Sequence, residues 1–265
     1  MKIYISADIE GVTGTTHWDE TDKKSPDFKE FQEQMTAEVV AACEGALRAG
    51  ATEIWVKDAH DTARNIIASR LPREIRLVRG WSGHPFFMVQ GLDETFHAVL
   101  LIGYHSRAGS DANPLAHTAS RSLAQVKIND RYTSEFLLKA YTAALVGVPV
   151  VFVSGDDGIC KEAELLNPNI STVAVKQGVG NSTVNIHPHL AVDTIKERVH
   201  MALEGDLSGC SIQMPESFSV EIEYKDHADA YRSAFFPGAG LKAPHTIQFE
   251  SEEYFEVMRL LLFVT

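Results

Sequence analysis

Short, uninterrupted apolar segments alternate with helical stretches along most of this chain. Ala98–Ile102 and Val150–Val153 are apolar at every position, which is typical of strands buried on both faces of a parallel sheet. Periodic patterns that predict helices lie between such segments, for instance from Phe28 to Ala49 and from Ser134 to Leu145. Because strands that alternate with helices form parallel sheets covered by helices on both faces, we expect an α/β fold.

The C-terminal part of the sequence has a different pattern. Two strand-type segments, Ser217–Tyr224 and Thr246–Glu250, enclose a short helical pattern and are followed by a terminal helix, which indicates an α+β unit. No linker rich in Pro or Gly marks a border, but the composition changes near Gly205–Pro215. We therefore expect an α/β region at residues 1–205 and a C-terminal α+β portion at residues 206–265. The alternative that the first region contains part of the second domain stays open.

Composition and charge argue against several functional classes. Lys and Arg number 24 and Asp and Glu 36, giving a net charge of −12, which disfavours nucleic acid and anionic membrane surfaces as partners. The longest apolar runs are too short to span a bilayer. The three cysteines are far apart and form no CxxC pair, so we predict neither disulfides nor a cysteine zinc site. Without a charged-then-apolar leader, the expected location is the cytoplasm.

Four apolar segments lead into residues of the kind that ligate metals. Asp8 and Glu10 follow the first, His60 the second and His105 the third, while Glu135 comes shortly after the fourth. Because parallel strands share one C-terminal edge, these side chains can converge there. Asp8 and Glu10 would project from the same face and repel each other unless a cation lies between them. Carboxylates with imidazoles suit zinc or manganese, and five ligands suit two ions that share a bridging carboxylate.

Other polar residues have two interpretations each. His117 follows a loop of small and polar residues, 108–114, which is either a mobile wall of an active site or a surface excursion. Asp156 and Asp157 follow a strand, either as a helix N-cap or as residues that support the site. Lys176 follows another strand, where it could meet an anion or a substrate carboxylate.

The ordered set of motifs resembles the zinc-dependent D-aminopeptidases of the DppA family. Residues Ser6–Gly11 match the SxDxEG opening of that family. The resemblance continues in the same order over nearly the whole chain, through Asp58–His60, Met88–Asp93, Gly103–His105, the loop that contains His117, Ile128–Arg131, Glu135, Gly155–Asp157 and Ala174–Gln177.

Several properties are implied by this resemblance. The family's two zinc ions per subunit correspond to ligands at Asp8, Glu10, His60, His105 and Glu135, with Asp8 as the bridging ligand. His117 matches the residue that the family treats as catalytic. The family fold is a Rossmann-like parallel-sheet domain with a second, smaller α/β domain. Members resemble self-compartmentalising homodecamers built from stacked pentameric rings.

Three functional hypotheses follow. The first is a dinuclear zinc aminopeptidase that removes N-terminal residues, including D-amino acids, from short peptides, with His117 stabilising the oxyanion or carrying a proton. The second is a dinuclear metallohydrolase of another amide or of a phosphoester, because the same pair of ions suits both reactions. The third is a non-catalytic peptide-binding accessory of a transport system that holds a structural metal.

Overall fold

The computed structural model describes residues 1–265, which form twelve strands and six α-helices. The strands are β1 (Lys2–Ala7), β2 (Glu53–Asp58), β3 (Ile75–Val78), β4 (Ala98–Tyr104), β5 (Leu123–Ile128), β6 (Arg131–Tyr132), β7 (Val150–Asp156), β8 (Ser171–Val179), β9 (Ser182–Asn185), β10 (Phe218–Tyr224), β11 (Gly240–Ala243) and β12 (Thr246–Ser251). The helices are α1 (Phe28–Arg48), α2 (Glu135–Leu145), α3 (Asp157–Leu166), α4 (Pro188–Glu204), α5 (His227–Ser233) and α6 (Tyr254–Val264).

The larger sheet has seven strands in the order β3-β2-β1-β4-β7-β8-β9. All of its pairs are parallel except β8 with β9, which form an antiparallel pair at one edge. The predicted α/β fold with a parallel sheet is confirmed. The strand order reverses at β1, which pairs with β2 on one side and with β4 on the other. The ends of β1 and β4 therefore border the crevice where such sheets bind their ligands.

A second sheet of five strands is entirely antiparallel, in the order β11-β12-β10-β5-β6. Strand β10 pairs with β5, in a register that puts Val220 opposite Ile128. This sheet therefore takes β5 and β6 from the first 205 residues and its other three strands from the C-terminal portion. The division of the chain at residue 205 stays a prediction.

Helix α2 packs between the hydrophobic cores of the two sheets. Phe136 and Ala140 belong to the core of the parallel sheet, whereas Leu137 and Leu138 belong to the core of the antiparallel sheet. Every residue from Glu135 to Ala143 is buried. A helix that is enclosed on all sides holds its side chains rigidly, so this helix is a firm support for a site at its N-terminus.

The sequence pattern was less reliable for short elements. Residues Ala68–Arg70 form only a 3-10 turn, and the sequence pattern does not predict β9. Strand β9 is short and exposed at every position but one, so it lacks the apolar run that marks a buried strand. No helix combines the length and the apolar character needed to cross a membrane.

Candidate metal centre

Two glycines allow the segment after β1 to lie against the end of β4. The Gly11 amide donates to Gly103 O at 2.8 Å, and the Asp8 amide donates to Ile102 O at 2.9 Å. A Cβ atom on Gly11 would lie 1.8 Å from Tyr104 O, and one on Gly103, where φ is +68°, would lie 2.3 Å from Asp8 O. Only glycine fits both positions. This close approach places Asp8 and Glu10 beside His105.

The carboxylate of Asp8 lies between two histidines. Its Oδ1 is 3.3 Å from His60 Nδ1, and its Oδ2 is 3.6 Å from His105 Nε2. Glu10 Oε2 lies 3.0 Å from the same His60 nitrogen. All four side chains are buried. The structure thus brings together residues from the ends of β1, β2 and β4, as the sequence predicted.

Glu135 completes the group from the first turn of α2. Ser134 caps this helix by accepting a hydrogen bond from the Leu137 amide, which fixes the helix start. Glu135 Oε2 lies 3.5 Å from His105 Nε2, and Oε1 accepts a hydrogen bond of 2.7 Å from the Ala119 amide. His117 Nε2 lies 3.6 Å from the same Oε1. All six candidate residues therefore lie in one connected cluster.

The three imidazoles are oriented by backbone carbonyl groups. His60 Nε2 lies 2.9 Å from Thr21 O, His105 Nδ1 lies 2.9 Å from Ser106 O, and His117 Nδ1 lies 3.0 Å from Leu115 O. Because a carbonyl oxygen only accepts, each of these nitrogens is the protonated donor. The other nitrogen of each ring faces the carboxylates. Metal-binding histidines are typically held in this way, with the outer N–H bound to a carbonyl or a carboxylate.

The cluster has strongly perturbed protonation in the absence of a metal ion. Burial and the nearby Glu10 carboxylate raise the pKa of Asp8. Burial lowers the pKa of His105, but the carboxylates of Glu135 and Asp8 outweigh this effect and raise it to about 10. Burial and the neighbouring His105 lower the pKa of His117. The buried carboxylates of Glu10 and Glu135 thus require positive charge, and in the metal-free protein His60 and His105 supply it.

The cluster fits metal ions by its donor set and by its unsatisfied atoms. Ligand atoms of Asp8, Glu10 and His105 lie within 4.8 Å of one another, and so do those of His105, His117 and Glu135. His105 Nε2 and Glu10 Oε2 are buried and have no hydrogen-bond partner. Unsatisfied buried polar atoms are costly unless something else binds them. Carboxylate oxygens and imidazole nitrogens are the ligands expected for zinc in a catalytic site.

Polar residues next to the cluster hold the backbone segments that carry its side chains. Asp156 caps α3 through the Ile159 amide and also accepts hydrogen bonds from the Ser106 amide and from Asn113 Nδ2. It therefore fulfils both roles that the sequence allowed. Lys176 meets backbone carbonyl groups and no protein anion, because its Nζ donates to Glu10 O and Thr15 O at 2.5 Å. That lysine fixes the segment that carries Glu10.

A cavity of about 650 Å³ opens next to the cluster. Asp8, Glu10, His60, His117 and Glu135 line one side of it. An apolar wall faces them, formed by Phe87, Met88, Leu138, Met258, Leu261 and Leu262. Lys139 lines the cavity too and was not identified from the sequence, although its spacing from Glu135 puts it on the same side of α2. The cavity has room for a small polar ligand with apolar side chains.

Known proteins resemble this chain over its full length. The sequence profile of peptidase family M55, described as D-aminopeptidase, matches residues 1–263. A D-aminopeptidase of Bacillus subtilis (strain 168) is 33% identical over 267 residues, which cover 100% of this chain and 97% of the relative. A solved structure described as the Zn-dependent D-aminopeptidase DppA from Bacillus subtilis, a self-compartmentalizing protease, has a TM-score of 0.92 at 31% identity and covers 100% of this chain and 96% of its own. The resemblance inferred from the sequence motifs is confirmed, and the chain belongs to the D-aminopeptidase family of peptidases.

Proposed function

We propose that this enzyme is a dinuclear zinc aminopeptidase that removes N-terminal residues, including D-amino acids, from short peptides. The observation that carries the proposal is the position of the Asp8 carboxylate, with one oxygen next to His60 and the other next to His105. Asp8, Glu10 and His60 would hold one zinc ion, and Asp8, His105 and Glu135 would hold the second. Asp8 would then contribute a ligand oxygen to the binding of each ion.

Zinc fits these residues chemically. When bound in such a site, zinc acts as a Lewis acid toward a carbonyl oxygen and lowers the pKa of water. The related structure is described as a Zn-dependent D-aminopeptidase. Three ionised carboxylates with neutral imidazoles carry a charge of about −3, which two divalent cations offset.

His117 is proposed as the residue that moves a proton. Its Nδ1–H is donated to Leu115 O, so in the neutral ring Nε2 has a free electron pair on the side of Glu135. A neutral ring in this tautomer accepts a proton and then, as imidazolium, returns one to the leaving amine. Because burial and His105 lower the pKa of His117, the neutral form is favoured. Proton transfer is thus better supported than direct stabilisation of an oxyanion by the neutral ring.

The residues that line the cavity favour a peptide as the substrate. A peptide has a positively charged N-terminus, a carbonyl group and apolar side chains. The buried carboxylates attract its ammonium group, and the wall formed by Phe87, Met258 and Leu261 accepts side chains.

A phosphoester substrate is less well supported. Phosphate sites usually contain several Arg or Lys side chains. Arg107 does not line the cavity and lies over the Tyr132 ring at 4.2 Å, and Lys176 is bound by carbonyl groups. Arg121 is one of few cationic groups left near the cluster.

The proposal is tested by metal analysis and a substrate screen. The purified protein is expected to hold two zinc ions per chain and to hydrolyse D-aminoacyl p-nitroanilides or short D-peptides, with L-aminoacyl substrates measured in parallel. Hydrolysis of p-nitrophenyl phosphate alone would favour the phosphoesterase hypothesis. Peptide binding with no product from any substrate would favour the transport accessory.

We further propose that the chain assembles into a homodecamer. The related structure is described as a self-compartmentalizing protease. Large apolar side chains are exposed on the isolated chain, notably Leu165 at 84%, Phe235 at 73% and Phe263 at 70%. Exposed apolar side chains of this size are often found at interaction surfaces. Light scattering on the purified protein measures the assembly, and a monomer at micromolar concentration would contradict it.

A further inference from the structure

Lys139 differs from the other buried lysines of the protein. Lys57 Nζ donates to the carbonyls of Asp58 and Gly80, and Lys176 Nζ donates to those of Glu10 and Thr15. Lys139 is only 2% exposed and lines the cavity, where its Nζ makes neither a hydrogen bond nor a salt bridge within the protein. Burial lowers the pKa of Lys139 to about 7, although Glu135 opposes this effect, so an anion bound in the cavity would stabilise the charged ammonium form.

The surroundings of Lys139 are apolar except on the side of the cluster. Its Nζ lies 4.9 Å from the centre of the Phe87 ring, and Leu138 and Met258 line the same cavity. Glu135 is one helical turn away, but its two oxygens already face Ala119, His117 and His105. The ammonium group therefore faces a cavity in which no protein anion pairs with it.

The spacing between Lys139 and the cluster matches a short peptide. The Cα atoms of Glu135 and Lys139 lie four residues apart on α2 and are therefore separated by about 6 Å along the helix axis. One residue of extended peptide spans about 3.3–3.6 Å. A substrate whose first peptide bond lies at the cluster would thus have its C-terminus near Lys139 after one or two further residues.

We propose that Lys139 binds the C-terminal carboxylate of the peptide substrate and so selects dipeptides and tripeptides with a free C-terminus. This inference rests on the proposed function, since it assumes that the N-terminus of the same peptide lies at the carboxylate cluster. The ligand is an anion that is small enough to enter a cavity of about 650 Å³. An ammonium–carboxylate pair in such an apolar setting is a strong, charge-assisted interaction.

The alternative is that Lys139 only offsets the negative charge of the cluster. In that case its removal would weaken metal binding or folding, but would affect a free peptide and its amide equally. The two explanations therefore differ in a measurable way.

The test compares D-alanyl-D-alanine with D-alanyl-D-alaninamide, which lacks the terminal negative charge. The zinc-loaded wild-type enzyme is expected to prefer the free acid by at least about tenfold in kcat/KM, which corresponds to about 1.4 kcal/mol. Lys139→Met should abolish the preference mainly by raising KM for the acid, and Lys139→Arg should retain part of it. Lys24→Met removes an exposed cation from the rim of the same cavity and should leave the preference unchanged.

Calorimetry gives a readout that is independent of turnover. Titration of the acid and the amide into zinc-loaded His117→Ala protein, with and without Lys139→Met, is expected to show tighter binding of the acid only while Lys139 is present. Equal binding or equal turnover of acid and amide by the wild type would overturn the role of Lys139 and leave the aminopeptidase proposal intact. If neither peptide is hydrolysed, the aminopeptidase proposal fails, while the calorimetric comparison still decides whether Lys139 binds the carboxylate.

Discussion

The imidazole rings of His105 and His117 are stacked, with 4.3 Å between their centres and 9° between their planes. The stacking fixes the ring plane of His117, and Trp18 contacts the same ring edge-on at 5.4 Å. His117 is therefore positioned by two aromatic contacts and by its bond to Leu115 O. A ring held so firmly is well suited to proton transfer, which depends on hydrogen-bond distance and direction.

Replacement of His117 by alanine should remove activity without removing zinc. Loss of a general base typically costs about 10²–10⁴-fold in kcat. Asp8, His105 and Glu135 remain, so zinc content measured by mass spectrometry should stay at two per chain. His84→Ala is a matched control, because it deletes an exposed imidazole from the same cavity. Parallel loss of zinc in His117→Ala would show instead that His117 is a ligand, a role that its distance to His105 and Glu135 also permits.

Asp8→Asn should release both zinc ions, because each Asp8 oxygen faces a different half of the cluster. Glu10→Gln should weaken mainly the ion at His60. Removal of groups that merely orient ligands costs about 10–100-fold in metal affinity, and loss of the bridging charge should exceed this. Competition with a chelator measures the affinity. Asp22→Asn, at the cavity rim, is the control, and full zinc occupancy in Asp8→Asn would contradict the bridging assignment.

The sequence was most informative where the geometry of the parallel sheet determines the position of a side chain. Asp8, Glu10 and His105 follow buried parallel strands, and neighbouring parallel strands must end at one edge, so their convergence was predictable. The position of Glu135 was harder to predict, because it depends on how α2 packs between the two sheets. That packing involves residues far apart in the sequence, such as Leu138 and Tyr254, which a pattern of local periodicity does not connect.

Lys139 shows where sequence patterns fail. A lysine in a helix is usually exposed, and its neighbours Leu138 and Ala140 do not change that expectation. It is buried because α2 is enclosed on all sides by both cores. The hydrogen bonds of Lys176 are unpredictable for a related reason, because the backbone carbonyls that accept them come from the segment after β1. Contacts to backbone atoms that are distant in the sequence cannot be predicted from the local sequence pattern.

Gly103→Ala should disrupt the site more than an equivalent change elsewhere. A methyl group there would lie 2.3 Å from Asp8 O, and φ is +68°. Gly147 has a similar φ of +73° but open space around its Cα, so Gly147→Ala isolates the backbone strain of about 1–2 kcal/mol. Denaturant unfolding and zinc titration are the measurements. We expect Gly103→Ala to lose more stability than Gly147→Ala and also to bind zinc weakly, and equal behaviour of the two variants would refute the close-approach explanation.

The metal-free protein should be most stabilised by its cluster in mildly acidic solution. The pKa of His105 is raised from 6.5 to about 10, so its contribution is fully present below pH 6.5 and is lost as pH rises through about 10. Burial raises the pKa of Glu135, but His105 outweighs this and lowers it from 4.5 to about 2. That contribution is present above pH 4.5 and is lost as pH falls through about 2. Both contributions are complete between pH 4.5 and 6.5.

Zinc should reverse this pH dependence. Metal binding requires neutral imidazoles, so zinc stabilises the protein more as pH rises past the range in which histidines lose their protons. Scanning calorimetry from about pH 4 to about pH 9, with a chelator or with added zinc, measures both effects. The Tm with chelator is expected to be highest in the mildly acidic range, and the gain in Tm from zinc should be largest above about pH 7. A zinc-induced gain that is equal at every pH would mean that His60 and His105 do not change protonation when the metal binds.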